Sequence, residues 1–232
     1  MDIQVLYRSA AGRSCLHDPE RLRGVPLEER PALSEPRAYK GRRSILTKWS
    51  SSTTGLSVWC ASNVQMDAAM LLDFDRDIEC FQSGVAQVRW QKGNEHGAVQ
   101  PAFFARTRDG RRLAIVHQRP RARGEEAAMQ QAAEAAGWEV RQMEVPQGVL
   151  RPSLARLAHF RAAEYADPHA REVLLKAFAE PQPLAMGVAA CGLGREATSR
   201  AWHLLWTGEL TTDWSAPLLP TSVVWARGKE RT

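Results

Sequence analysis

From Ala61 to Val145 the chain spells out a helix, a run of short strands, a second helix and a last strand. That order confines the region to a mixed α/β fold, a mixed sheet flanked by helices. Val64, Ala68, Leu71 and Leu72 recur at three and four residues and predict a helix over Ala61–Leu72. Asp73-Phe74-Asp75-Arg76-Asp77 is expected to end it. Ile78, Phe81, Val85, Val88 and Trp90 then mark strands, with a turn at Gly93–Gly97. Pro101–Thr107 and Leu113–Gln118 flank Arg108-Asp109-Gly110-Arg111, and an Asp-Gly pair between alternating apolar runs is a hairpin signal. Gly124–Ala136 is dense in alanine and glutamate, both strong helix formers, and Gly137 closes it. Trp138–Val145 alternates again as a strand does.

The flanks read differently. Ile3, Val5 and Tyr7 alternate and fit a short strand. Arg13 to Arg43 is rich in Pro, Arg and Glu and predicts an extended or loosely ordered arm with a basic tip, Lys40-Gly41-Arg42-Arg43. Ser50–Gly55 reads as a polar loop leading to a strand at Ser57–Cys60. Beyond Pro146-Gln147-Gly148 the pattern becomes mainly helical, with helices expected over Ser153–Glu164, Pro168–Ala179, Pro181–Met186 and Arg195–Trp206. A hairpin punctuated by Gly208, Asp213, Pro217 and Pro220 and ending in Ser222-Val223-Val224-Trp225 follows them, which is the outline of a winged helix. The expected division is 1–56 for the strand and arm, 57–147 for the α/β domain and 148–232 for the helical domain.

With 232 residues and 44% hydrophobic content the chain has enough apolar material for a proper core. Its formal net charge of +5 permits contact with nucleic-acid phosphates without demanding it. The four cysteines stand far apart, without the short spacing of a zinc site. No basic start leads into an apolar run and no 18-residue apolar segment occurs, so a cytoplasmic protein is expected, with no membrane partner. Asp73, Asp75 and Asp77 resemble a metal cluster on paper, but such a run more often caps a helix and makes a solvated turn. His96 and His117 invite an acid/base reading, yet neither has a visible partner in the sequence. Met66, Met70 and Met129 fit core packing. Of the eight tryptophans, Trp202, Trp206, Trp214 and Trp225 fall in the C-terminal region, either building its small core or presenting a partner surface.

Three strings then carry a likeness: Met70-Leu71-Leu72-Asp73-Phe74-Asp75 after a helix, Pro101-x-Phe103-Phe104-Ala105-Arg106 before Asp109-Gly110, and Gly137-Trp138-Glu139 after an Ala-rich helix. Together with Tyr39-Lys40-Gly41 and the tail His203-Leu204-Leu205-Trp206-x-Gly208-x-Leu210, the chain resembles TnsA-like heteromeric transposase endonuclease subunits, closest to the actinobacterial members. The resemblance implies a restriction-endonuclease-like N-terminal domain and a winged-helix-like C-terminal domain that contacts the transposition ATPase. In that family, carboxylates hold Mg²⁺ against the scissile phosphate beside a lysine. Here the helix glutamate falls on Gln65, with Ala61 where many relatives carry another glutamate, and the Pro-Asp motif is Pro101-Ala102. The acid-or-Gln-x-Lys motif is His117-Gln118-Arg119, and the usual Gln-Pro pair is Gly84-Val85. Ala102 removes the bridging carboxylate, Gln65 offers one weak amide oxygen, and Arg119 is too basic to activate water. One imidazole at His117 is no Mg²⁺ site.

The reading is therefore a TnsA-like protein without intact catalytic residues and without a cofactor, acting as a DNA-binding subunit, a partner-binding subunit or both, in a transposition-type or domesticated complex. Its expected partners are duplex DNA and, as in the family, a DDE transposase and an AAA+ ATPase. Lys40, Arg42, Arg43, Arg119, Arg121 and Arg123 are the candidates for a DNA groove, though a solvated basic face explains them as well. Trp202, Trp206 and Trp214 are the candidates for partner binding. Two alternatives stand beside this: an active endonuclease with shifted ligands such as Asp67, Asp73 or Glu95, and a pure protein-interaction scaffold. Asp67 lies two residues, about 200° of helix, from Gln65, which argues against simple migration of the ligand.

Overall fold

The computed structural model describes residues 1–33, 46–118 and 124–228. Contacts divide the chain into two units, Met1–Glu144 and Val145–Thr232, beside the expected turn at Pro146-Gln147-Gly148. Among the described residues the protein is mixed α/β, with several sheets and six helices. The elements of the first unit are β1 (Asp2–Arg8), β2 (Ser14–His17), β3 (Thr47–Ser50), β4 (Ser57–Cys60), α1 (Asn63–Phe74), β5 (Ile78–Gln82), β6 (Ala86–Lys92), β7 (Glu95–Val99), β8 (Phe103–Thr107), β9 (Arg112–Val116), α2 (Glu125–Ala136) and β10 (Glu139–Gln142).

Two four-stranded sheets organise this unit. One has the order β2-β1-β6-β7, antiparallel throughout. The other has the order β10-β9-β8-β5, in which β5, β8 and β9 are antiparallel and β10 runs parallel to β9. A parallel neighbour cannot be reached by a tight turn, so a crossover is required, and α2 supplies it. The β8–β9 hairpin turns at Asp109-Gly110, where Gly110 takes φ +87°. Hydrophobic alternation sets the faces: Ile3, Val5 and Tyr7 of β1 all point into the core.

The core of the unit forms where α2 meets the sheets. Ala128, Met129, Ala132, Ala133 and Ala136 make the apolar face of α2, packed in one cluster with Trp90, Phe104 and Trp138. Phe104 and Trp138 meet edge to face with centroids 5.0 Å apart. Small alanine side chains let the helix settle close to these rings. Gly124, at the helix start, has φ +91°, and a Cβ there would come within 2.8 Å of the Trp90 ring. Both conformation and space require glycine at that position.

Three details depart from the sequence reading. The Pro/Arg-rich stretch is not loose up to Leu33: β2 joins the sheet, and Leu22 and Leu27 are fully buried. Two leucines repay the ordering of a segment that its prolines had marked as an arm. The first helix does not stop at Leu72 but continues through Phe74, so Asp73 sits in its last turn. The expected turn at Gly93–Gly97 shrinks to Gly93-Asn94, with Lys92 opposite Glu95, and β7 follows at once. Glycine at the first of two turn positions, at φ +60°, fits a tight hairpin matched to strand twist.

The second unit holds α3 (Leu150–Leu157), α4 (Pro168–Ala177), β11 (Gln182–Pro183), α5 (Leu184–Ala190), α6 (Ala197–Trp206), β12 (Leu210–Thr212) and β13 (Val223–Ala226). The strands pair in the order β11-β13-β12. α3 starts earlier than expected, because Ser153 does not cap it. Its hydroxyl donates to the Val149 carbonyl at 2.8 Å and accepts from the Leu218 amide at 3.3 Å, tying the helix to the ribbon loop. The expected helix to Glu164 breaks after Leu157 into short 3₁₀ turns. α4 has its cap one residue ahead of Pro168, where the Asp167 carboxylate accepts from the Ala170 amide at 2.9 Å. Leu154, Leu157, Leu174, Phe178, Leu205 and Trp206 are fully buried and form the core of this unit.

Candidate functional site

The start of α1, the start of β8 and the end of β9 converge on one cleft of about 270 Å³ in the first unit. Ala61, Gln65, Ala102 and His117 all line it, so the positions that the resemblance singles out come together, Arg119 excepted because it lies outside the described residues. Gly84, the first residue of the Gly84-Val85 pair compared above with the resembled family, lines it too, at φ +68°. The cleft also takes in Trp59, Ser83 and Gln100, which sequence reasoning had not named. Only Gln100 carried a signal, as the immediate neighbour of Pro101-Ala102. Among the described lining residues there is no aspartate or glutamate.

Gln65 has a defined task in this cleft. Ser62 caps α1 by accepting from the Gln65 amide at 3.2 Å. The Gln65 side-chain oxygen accepts from the Ala61 amide at 2.8 Å, a variant of the capping box in which the third residue reaches back across the cap. Its Nε2 then donates to the Ala102 carbonyl at 3.0 Å. One amide thus clamps the helix start to the strand start, and only one orientation of that amide satisfies both partners. A glutamate would keep the first contact and turn a carboxylate oxygen towards the Ala102 carbonyl. Gln65→Glu is expected to cost about 1–3 kcal/mol at neutral pH, the price of a lost buried hydrogen bond and an unpaired acceptor. The new carboxyl would have its folded pKa raised, so the protonated form restores the contact below about pH 4 and the deficit grows as pH rises. Urea titrations of the variant at acid and neutral pH check this, and a pH-independent deficit would contradict it.

Hard divalent cations need carboxylate or carbonyl oxygens converging on one point. The described residues do not offer that set at the cleft: Ala102 is apolar and buried, the Gln65 amide oxygen is taken, and His117 supplies a single imidazole. The residues therefore do not fit the Mg²⁺ of the resembled family. Asp67, Asp73 and Glu95 are not among the lining residues. Asp73 in particular is buried and accepts from Trp49 Nε1 at 3.0 Å, Ser51 Oγ at 2.7 Å, Ser52 N at 2.9 Å and Thr53 N at 2.9 Å. These donors consume its lone pairs and bind the β3–β4 loop to the last turn of α1. Asp75 accepts from the Asp77 amide at 2.9 Å, a local turn contact. The aspartate run is thus structural.

Elsewhere among the described residues, Glu28, Glu29 and Cys80 are the one group of potential metal ligands close together. Arg106 already occupies their centre, with Nη1 2.7 Å from Glu29 Oε1 and 3.1 Å from Glu28 Oε1, and Nε 2.9 Å from Glu79 Oε2. Burial pushes the Cys80 thiol up to about 11, so it is no ready thiolate. The cluster reads as an ion-pair anchor for residues 27–29 on the β5–β8 pair.

His96 is exposed on β7 and lines no part of the cleft. Lys40, Arg42, Arg43, Arg119, Arg121 and Arg123 all lie outside the described residues. Of the tryptophans assigned to partner binding, Trp206 must be corrected: it is fully buried and is core. Trp202 is half-buried, 5.6 Å from the Phe160 ring, with the Arg156 guanidinium 5.5 Å from its centroid. Trp214 is also half-buried. No helix among the described residues is long and apolar enough to cross a membrane. Comparison of the chain with protein-family models and with curated proteins finds no match in either.

Proposed function

We propose that this chain is a TnsA-like protein with a restriction-endonuclease-like first domain whose cleft no longer performs hydrolysis, and that it serves as a duplex-DNA-binding subunit of a transposition-type complex. The observation that carries the reading is the convergence of Gln65, Ala102 and His117 on one cleft whose described lining residues include no carboxylate. The connectivity around it agrees: a helix, three antiparallel strands with a hairpin inserted after the first, a crossover helix, and a fourth strand parallel to the third. In the second unit, α4, α5 and α6 followed by the β12–β13 ribbon support a winged-helix-like module. The +5 formal charge and the isoelectric point near 9.3 are compatible with a polyanionic partner. A DDE transposase and an AAA+ ATPase are the further partners this reading proposes.

Fluorescence anisotropy with labelled duplex DNA tests the binding claim. Affinity is expected to fall steeply and linearly in log–log form with salt, with a slope of about −0.9 per phosphate contacted. Alanine at Arg121 and Arg123 should flatten that slope. Absence of binding even at low ionic strength would replace this reading with that of a protein-interaction scaffold.

A further inference from the structure

Strand alternation decides what the β3–β4 hairpin shows to solvent. Trp49 and Val58 face each other across it and are buried, so Lys48 and Trp59, the next pair along, project from the opposite face. Lys48 is exposed, Trp59 is half-buried, and the Lys48 Nζ lies 4.2 Å from the centroid of the indole. Trp59 also lines the cleft of about 270 Å³, whereas Lys48 is not among its described lining residues, so the ring meets the ammonium on one side and the cleft on another. The Ser83 hydroxyl donates to the Trp59 carbonyl at 2.6 Å and fixes the backbone that carries the ring.

Around this indole the cleft wall is built of small residues. Ala32, Ala61, Gly84, Pro101 and Ala102 line it, which leaves open space beside the ring. Among the described residues no other aromatic ring lies against Trp59, and no carboxylate pairs with Lys48. Of the polar lining residues, Gln65 and Ser83 spend their groups inside the protein, His117 is already engaged, and Gln100 is exposed to solvent. The indole and the neighbouring ammonium are therefore the uncommitted chemistry of this cleft, and none of its described lining residues is an acid that would repel a phosphate.

A ligand for this pair must offer a flat face to the indole and a negative group to the ammonium beside it. A cationic ligand fails by repulsion from Lys48. A neutral sugar uses the ring and leaves the ammonium idle, and a free phosphate does the reverse. A base of a nucleic-acid strand satisfies both, because its face stacks on an aromatic side chain and its own phosphate lies within reach of a lysine. In a duplex both faces of each base are covered by its neighbours, so only an unpaired base can take this place. We propose that Trp59 and Lys48 form a stacking platform for an unpaired base of a DNA strand at the mouth of the cleft. The choice of DNA rests on the function proposed above, whereas the preference for an unpaired base follows from the platform.

Fluorescence anisotropy of the full chain tests it with a labelled blunt duplex, the same duplex carrying a single-stranded thymidine overhang, and oligothymidine alone. The overhang duplex is expected to bind about tenfold more tightly than the blunt one, the scale of one stacked base. Trp59→Leu should remove that preference and Trp59→Phe should keep most of it, with circular dichroism unchanged in both. Lys48→Ala, at an exposed position and so without cost to the fold, should lower the salt slope for the overhang duplex by about 0.7, the share of one single-strand phosphate. A preference that survives Trp59→Leu, an equal loss in Trp59→Leu and Trp59→Phe, or an unchanged salt slope in Lys48→Ala would overturn the proposal. Displacement of the overhang duplex by an equal concentration of thymidine monophosphate would overturn the assignment to a strand. Binding of both duplexes with equal affinity strikes the platform and leaves the DNA-binding function standing. Binding of oligothymidine, lost in Trp59→Leu, without any binding of the blunt duplex does the reverse.

Discussion

Asp73→Ala is expected to destabilise the first unit by about 3–5 kcal/mol, because it strips a buried acceptor from four donors at once. The Trp49 indole, the Ser51 hydroxyl and the Ser52 and Thr53 amides all end on this one carboxylate. Ser52 Oγ adds a longer contact at 3.2 Å. Without it, those groups either stay unpaired or drag the β3–β4 loop off α1. Asp73→Asn should fall between wild type and alanine, since one oxygen remains while the amide N–H₂ faces donors. Urea unfolding followed by tryptophan emission measures the loss, and hydrogen exchange at Ser52 and Thr53 locates it. A change below about 1 kcal/mol, with protection at those amides retained, would mean that the loop holds itself.

Arg106→Ala should be nearly as damaging, about 3 kcal/mol at neutral pH, because it abandons the buried Glu28 carboxylate. The Glu28 side chain is only 1% exposed, and burial already pushes its carboxyl above the ordinary range, with Arg106 among the groups that pull it back. Removing the guanidinium drives the folded pKa further up. A carboxyl with a raised folded pKa favours folding while it is protonated, and that contribution is lost as pH rises through the folded value. The variant should therefore be closest to wild type at acid pH, where Glu28 is protonated, and fall away as pH rises through its raised folded value. Combining Arg106→Ala with Glu28→Gln should remove most of the pH dependence. Unfolding titrations across this range decide it, and a deficit equal at every pH would show that Arg106 matters through packing alone.

Local chemistry made part of this protein legible in its sequence. The β8–β9 hairpin follows from Asp109-Gly110 between alternating runs, and α2 from its alanines and the glycine at 137, which takes φ +74° as the cap. What escaped depends on distant partners. Asp73 reads as a helix stop, yet its donors come from residues 20 to 24 positions earlier, which no local pattern reveals. Gln65 reads as a lost ligand, and its role as a clamp appears only with Ala102, 37 residues away. β7 escaped because it is an edge strand with Glu95, His96 and Ala98 exposed, so the alternation that betrays a half-buried strand is weak. The prolines before Leu33 concealed two core leucines. Trp206 belongs to a helix face that is buried on more sides than its spacing alone implies.

The gathering of Gln65, Ala102 and His117 in one cleft was the part of the site that a resemblance could anticipate. Its meaning for activity comes from the physical chemistry of the side chains that stand there, and it is open to direct measurement. Purified protein incubated with supercoiled plasmid and Mg²⁺ or Mn²⁺, alone and with any neighbouring transposase, should leave the plasmid intact while still retarding it on a gel. Metal-dependent nicking that disappears in Arg119→Ala would contradict the account at its centre.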